Sequence, residues 1–452
     1  MLAKRLREIE QHRIADLLEK RASFVSPAEI EHDLAALDYP LVQRLLKGEN
    51  LFVPPAGTIE PVGIIPYSFA KTEEAVDFVR HGQCLLREGS VAVVVVAGGQ
   101  GSRLGIPGPK GVVKVSPVRG KSLLCLHAQK ILALQKKFGG RIPFFIMTSR
   151  VNDAETKTFF AEHDYFGLAQ DEVFFFAQGM LPSLTQDGKF ILGRDGALFM
   201  NPDGHGGTLS ALQKNGCLDI MQEKGVQEIF YFQVDNPLIK ICDPLFIGLH
   251  NKQGAQMSSK ILRKRDCDEK VGVIAKVNNK TTVIEYSDMS KDMKCATDAQ
   301  GKMVYWAGSI AIHMLRVDFV AALTALGLSL PYHKAIKKIP TLDEHGNPVE
   351  IEGIKFETFI FDALPMSQTS VTLEVKREEE FAPVKNSTGE DSLESSMAMQ
   401  VDLHRSWLEA AGIKISSGVK VEISPLFAID EEDVKMRVRE IPQEIREDAY
   451  LG

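Results

Sequence analysis

The chain has 452 residues, 44% of them hydrophobic and 25% charged, enough to bury a large core in two or three domains. A net charge of −7 argues against non-specific binding to nucleic acid or to an anionic membrane. The charged N-terminus MLAKRLREIEQHRIADLLEK is no signal peptide and no apolar run approaches a membrane span, so the expected location is the cytoplasm.

Residues 1–89 read as mainly helical. Leu2, Leu6, Ile9, Leu17 and Leu18 keep helical spacing, and Ser26-Pro27-Ala28-Glu29 reads as a capping box with proline at the first helical position. The segment from Phe52 to Tyr67 is expected to wrap toward the main domain. From Val91 strands alternate with helices. Strands are predicted at Val91–Val96, Ile142–Thr148, Val173–Ala177 and Ile229–Val234. Helices are predicted at Ser122–Phe138, Ala154–His163 and Thr208–Lys224. Apolar strands in this alternation imply an α/β fold with a mostly parallel sheet covered on both faces. Shorter strands are expected at Val271–Val277, Thr281–Tyr286 and Ser309–His313. Polar STGEDSLESS suggests a linker or mobile loop, followed by a helix at His404–Ala411, a strand at Val419–Ile423 and a charged final helix. Three parts follow: 1–89 helical, 90–390 a central α/β domain and 391–452 a small C-terminal domain. The six scattered cysteines form no C-x-x-C pair, which predicts reduced core thiols rather than a disulfide frame or zinc site.

The stretch VVVVAGGQGSRLGIPGPKG, Val93 to Gly111, carries the first chemistry. Gly98, Gly99 and Gly101 let the backbone turn tightly and aim N–H groups at an anion. Arg103 and Lys110 add charges suited to phosphate oxygens, so the loop reads as a nucleoside triphosphate site. A mere tight turn would explain the glycines but not the two cations. A dinucleotide fingerprint fails at Leu104 and lacks its acidic ribose ligand, and no Walker A lysine follows.

Asp235 follows the strand IFYFQV. With Asn236 and Pro237 it could simply form a turn, but the phosphate loop at the same sheet edge selects a Mg²⁺ ligand. Asn201 to Gly207 is a second glycine cluster, in which His205 has little core to pack against and reads as a ligand-facing hydrogen-bonder. Gln178 could read the edge of a pyrimidine, while Lys355 and Lys385 are isolated lysines of the kind that is usually just solvated.

Taken together, AGGQGSRLG, PKG, AQGMLP, PDGHGG, VDNPL, VGVIAKV, VIEYSDM, GSIAIH, LPYH, GIKFETFIFD and REEEFAPVKN resemble, in order, the UDP-N-acetylhexosamine pyrophosphorylases. These belong to the UTP-dependent sugar-1-phosphate uridylyltransferases, and the resemblance spans about Glu60 to Trp407. It implies a Rossmann-like nucleotidyltransferase domain between smaller N- and C-terminal parts. It also implies a reaction in which UTP and a hexose 1-phosphate give a UDP-sugar and pyrophosphate, assisted by Mg²⁺. By the same resemblance Val96, Ala97, Gly98 and Gly99 form the uridine loop, with Arg103 and Lys110 on the phosphates. Gln178 and Gly204 contact uracil, Asp235 holds metal, and Gly272, Glu285 and Tyr286 hold the sugar. Lys355 and Lys385 face the phosphates, Lys385 also the sugar phosphate.

Two departures fall in the sugar pocket. His205 stands where the family has asparagine, as in the G-H-G motif of UDP-glucose pyrophosphorylases, and Ser309 and Ile312 replace two asparagines. N-acetylglucosamine 1-phosphate is the expected substrate, with N-acetylgalactosamine 1-phosphate, glucose 1-phosphate or a broad sugar range as alternatives. A non-catalytic nucleotide-sugar sensor and a nicotinamide dehydrogenase are the readings from other classes.

Overall fold

The computed structural model describes residues 1–54, 56–325, 327 and 330–452. They fall into two compact units, each discontinuous in sequence. The larger comprises 55–177, 212–325 and 363–452, the smaller 1–54, 178–211 and 326–362. These units cut across the three consecutive parts expected from composition, because the N-terminal helices share a core with segments far down the chain.

Among its described residues the larger unit is built on a ten-stranded sheet. Four strands form its parallel half, in the order Glu228–Gln233, Val91–Val96, Phe144–Thr148, Val173–Ala177. Val91 to Val95 are fully buried. Each of these valines contributes about 1.5–3 kcal/mol by leaving water, which is why this strand reads as an apolar run broken only by Ala92 in its β-branched character. Beyond Glu228–Gln233 the sheet turns antiparallel through Ala307–Arg316 to Val273–Val277 and Ile59–Pro61. The expected helix forms as Leu123–Phe138. The Ser122 hydroxyl accepts the Cys125 N–H at its start, and Gly139, at φ 79°, ends it. The predicted 208–224 helix is broken by Gly216, at φ 70°, into Gly207–Lys214 and Cys217–Glu223.

The smaller unit packs four short helices, Leu2–Glu8, His12–Glu19, Pro27–Ala36 and Tyr39–Leu46, against a long hairpin, Tyr332–Leu342 with Pro348–Thr358. Leu6, Ile14 and Ile30 on the helices share a core with Ile354 and Phe356 on the hairpin. Proline opens the third helix as expected, but the Ser26 hydroxyl donates to the Asp195 carbonyl instead of capping it.

Two other expectations are corrected. Cys267 and Cys295 form a disulfide, with Cα atoms 5.1 Å apart, so these two are not reduced core thiols. Only Cys217 and Cys242 are buried free thiols. The 28-residue spacing of Cys267 and Cys295 carries no local signal, since loop folding alone brings them together. The polar stretch after Asp391 is not a linker. Ser392 and Ser395 form a capping box that starts a helix at Leu393 and runs it to Ala410. The C-terminal residues keep a small hydrophobic cluster of their own, including Leu408, Val421 and Val434. The last charged helix, Glu431–Met436, is followed by short strands at Glu444–Ile445 and Ala449–Leu451. Among the described residues no helix is long and apolar enough to cross a membrane.

Helices Glu73–Arg87 and Pro244–Lys252 approach closely enough to require glycine on both. A Cβ on Gly82 would lie 2.0 Å from the Pro244 carbonyl oxygen, and one on Gly248 would lie 1.9 Å from that of Phe78. Gly248→Ala is therefore expected to destabilise the larger unit by about 1–3 kcal/mol, despite the better helix propensity of alanine. A urea titration reads this as a lower midpoint at unchanged slope, and an unmoved midpoint would contradict the tight crossing.

Candidate functional site

In the larger unit the chemistry gathers where the parallel strands end. The Ala97 N–H makes the last bond to the neighbouring strand, at Met147, before the glycine loop begins. The loop closes on itself: the Gly101 N–H donates to Gly108 and the Lys110 N–H to Gly99, both at 3.0 Å. A Cβ on Gly101 would meet the Ile106 carbonyl at 2.8 Å, whereas one on Gly99 would meet nothing within 4 Å. Gly99 thus presents open backbone, as a phosphate cradle requires.

Asp235 stands just beyond the adjacent strand, and the Val234 N–H donates to Val96 at 3.1 Å. The Lys110 ammonium meets the Asp235 carboxylate at 2.9 Å, so the two sequence signals converge on one ion pair. Burial alone would raise the Asp235 carboxyl. The charges of Lys110 and then Lys385 outweigh it and hold the group below the usual carboxylate range. Lys385 thereby joins this cluster. Arg103 stands exposed on a single turn, Ser102–Leu104.

Gly272, Glu285 and Ser309 form a second group in this unit. The Ser309 N–H donates to the Gly272 carbonyl at 2.8 Å, and Glu285 Oε1 lies 3.0 Å from where a Gly272 Cβ would be. Tyr286, next in sequence, is 37% exposed. The strand register shifts between Ser309 and His313, with Ala311 at φ 56°, a bulge that re-aims the residues around it. Ile312 is buried.

In the smaller unit the Asp203–Gly207 loop is seated on Thr358. The Thr358 N–H donates to the Asp203 carbonyl at 2.7 Å and the Gly206 N–H to the Thr358 carbonyl at 2.8 Å. Gly204, at φ 87°, passes so close that a Cβ would lie 2.3 Å from the Thr358 oxygen. His205 Nδ1 accepts the Ile360 N–H at 3.2 Å, and its ring stacks on Phe359 at 5.2 Å. Burial, and then the charge of His333, push His205 down to about 4, so it is neutral at physiological pH and carries its proton on Nε2. It is thus more firmly packed than its glycine neighbours suggested. Gln178 is buried, and Lys355 pairs with Glu357 at 2.6 Å.

Several supporting residues carry no sequence signal of their own. The buried Asn152 side chain donates to the Ala97 carbonyl at 2.9 Å and the Gly99 carbonyl at 3.4 Å, bracing the glycine loop. The Lys130 ammonium donates to the Pro237 and Ile239 carbonyls at 2.5 and 2.8 Å, holding the turn after Asp235. Behind that turn, the buried His127 ring meets the Val234 carbonyl at 2.9 Å. The sequence shows no Ser/His/Asp machinery, yet the structure aligns Ser258, His250 and Glu228, at 2.6 and 3.0 Å. All three are sealed from solvent, so this array is a core network without access to substrate.

Among the described residues no group of three or more His, Cys, Asp or Glu side chains could hold a metal. Asp235 remains the one sequence-predicted ligand. Its ionised state suits Mg²⁺, which commonly binds through one or two carboxylates and completes its shell with phosphates and water.

The family model for UTP–glucose-1-phosphate uridylyltransferase matches residues 71–448. The chain is 37% identical over 430 residues to the UDP-N-acetylglucosamine pyrophosphorylase of Saccharomyces cerevisiae, covering 92% of this chain and 89% of that protein. It is 34% identical to UDP-N-acetylglucosamine diphosphorylase 1 of Arabidopsis thaliana, covering 96% and 90% respectively. The uridine diphosphate N-acetylglucosamine pyrophosphorylase of Trypanosoma brucei, solved in complex with inhibitor, superposes with a TM-score of 0.83 at 26% identity. That match covers 100% of this chain and 97% of the other.

Burial pushes His127 down to about 3, with the charge of Lys130 acting in the same direction. An unfolded chain would take up this proton near pH 6.5. The contribution to stability is therefore complete above that pH and declines as pH falls toward about 3. His127→Gln should flatten the loss of urea midpoint between pH 6.5 and 4 by up to one proton equivalent; an unchanged slope would refute the neutral buried ring.

Proposed function

The chain belongs to the UTP–glucose-1-phosphate uridylyltransferase family, and from that premise we propose that its substrate pair is UTP and N-acetylglucosamine 1-phosphate, giving UDP-N-acetylglucosamine and pyrophosphate. It is a nucleotidyltransferase of the UTP:sugar-1-phosphate type. The observation that carries the mechanism is the Lys110–Asp235 pair at the edge of the parallel sheet, with the Lys385 charge close to Asp235.

The sugar phosphate brings its own anionic oxygen nucleophile, so no side chain has to generate one. The difficulty is to bring two polyanions into line at the α-phosphorus, which makes positioning and charge neutralisation the main sources of rate. The Val96 to Gly99 loop, open at Gly99, receives the nucleotide, while Arg103 and Lys110 neutralise the triphosphate. Lys355 and Lys385 are assigned to the α-phosphate and the incoming sugar phosphate. Gln178 and Gly204 are assigned to uracil, and His205, Gly272, Glu285, Tyr286 and Ser309 to the sugar. His205, with Nδ1 already engaged, offers an Nε2–H donor. Asp235 would hold Mg²⁺, which when bound supplies further neutralisation of phosphate charge. The proposed compartment is the cytoplasm.

The named relatives favour the acetamido sugar over glucose. The observation on the side of glucose is His205, which replaces the family asparagine in the sugar pocket. Comparing kcat/KM for N-acetylglucosamine, N-acetylgalactosamine and glucose 1-phosphates with UTP decides the matter. N-acetylglucosamine 1-phosphate is expected to lead; a strong preference for glucose 1-phosphate would overturn the sugar and leave the reaction class standing. Lys110→Ala is expected to slow pyrophosphate release by about 10²–10³-fold, as for removal of other electrostatic stabilisers. Undiminished release would remove Lys110 from the mechanism.

A further inference from the structure

Asn236 is buried beside Asp235, and the reaction chemistry does not use it. Its side-chain amide donates to the Glu380 carbonyl at 2.7 Å and accepts the Ala382 N–H at 3.0 Å. Two residues further along, the Val384 N–H donates to the Asp235 carbonyl at 2.9 Å. Alternate residues of the segment, 380, 382 and 384, are thus tied to the turn that carries Asp235. Phe381, which lies between the two bonds to Asn236, presents its ring 5.4 Å from the Lys385 ammonium, within the range of a cation–π contact. The start of the segment has an anchor of its own, because buried Lys260 pairs with the Glu380 carboxylate at 2.6 Å and with Asp243 at 2.9 Å.

We propose that Asn236 is a positioning residue for uridylyl transfer: it fixes Phe381 and the following strap so that the Lys385 ammonium stands beside Asp235. The proposal rests on the assignment of Lys385 to the reacting phosphates. Asn236 itself touches no substrate in this account. Both ends of its amide are consumed by the strap, which acts as an extra peptide unit joining a turn to an extended segment. Loss of the side chain leaves the Lys260 anchor and the Asp235–Val384 bond in place. The strap then remains attached while its middle, with Phe381, is free to shift.

A double-mutant cycle tests this. Pyrophosphate release from UTP and N-acetylglucosamine 1-phosphate is measured for the wild type, Asn236→Ala, Lys385→Ala and the double variant, alongside thermal unfolding. Asn236→Ala is expected to lower kcat by about tenfold or more, the scale of an ångström-level misplacement. KM for UTP should stay within about twofold. On the Lys385→Ala background the same change should cost less than about twofold, because the group it positions is gone. An equal loss on both backgrounds, or no loss on the native one, overturns the proposal, since a general structural defect multiplies through regardless of Lys385. Phe381→Leu, which keeps an apolar side chain and removes the ring, is run through the same cycle. It decides by the same criterion if Asn236→Ala does not fold. A wild type that releases no pyrophosphate with any of the three sugar 1-phosphates overturns the activity itself, whereas an active wild type with multiplicative losses overturns only the role of Asn236.

Discussion

The hydrogen bond from the Val234 N–H to the Val96 carbonyl is the last rung between two parallel strands, and the site hangs from it. Val96 lies opposite Gln233 in that register, so the two chains leave the sheet at the same height and in the same direction. One departs as the glycine loop, the other as the turn bearing Asp235. Antiparallel pairing would have sent them to opposite edges, and no side-chain choice could then have joined Lys110 to Asp235. The apolar character of both strands is part of the same constraint. Strands covered on both faces leave polar chemistry nowhere to go but beyond their ends.

Charge at that edge is managed by pairing. Burial opposes an ionised Asp235, yet two lysines outweigh the penalty, and the carboxylate in turn permits cations to crowd together. His127, directly behind, stays neutral and adds no further positive charge. Lys260 serves a second buried group. Burial would raise both of its carboxylate partners. Lys240 and Lys260 reverse this for Asp243, which ends well below the usual range, whereas for Glu380 burial wins and its carboxyl ends above it. Such a group is costly to desolvate and adds little net stability, but it fixes geometry, here at the root of the strap that carries Lys385.

What was legible in the sequence follows from how local each signal was. Val91–Val96, Phe144–Thr148 and Val173–Ala177 were readable because burial, complete in Phe144–Thr148 and partial in Val173–Ala177, writes itself as a continuous apolar run. The glycine loop and Asp235 were readable because they follow such runs directly. The hairpin Tyr332–Leu342 with Pro348–Thr358 was not foreseen. Its stretches 334–338 and 348–352 are half-buried or exposed and rich in charge, and so resemble solvated surface despite the buried positions elsewhere in the two strands. The helix from Leu393 was masked by the serines that cap it, which read as a polar connection. Asn152 and Asn236 had no signal at all, since an asparagine used as a brace looks like any turn former until its partners, 55 and 144 residues away, are placed. The disulfide and the discontinuous units share that cause: each depends on contacts between distant parts of the chain.

The smaller unit has a consequence for the order of events during synthesis. Its four helices are made before the larger sheet, with Leu6, Ile14 and Ile30 in their shared core. The residues that complete this core, Ile354 and Phe356, are made only after most strands of the larger sheet. Short helices hold little structure by themselves, and contacts so distant in sequence form late. These helices therefore wait for the hairpin before their core is complete, exposing apolar surface in the nascent chain that earlier partners such as Leu181, Phe190 and Leu198 cover only in part.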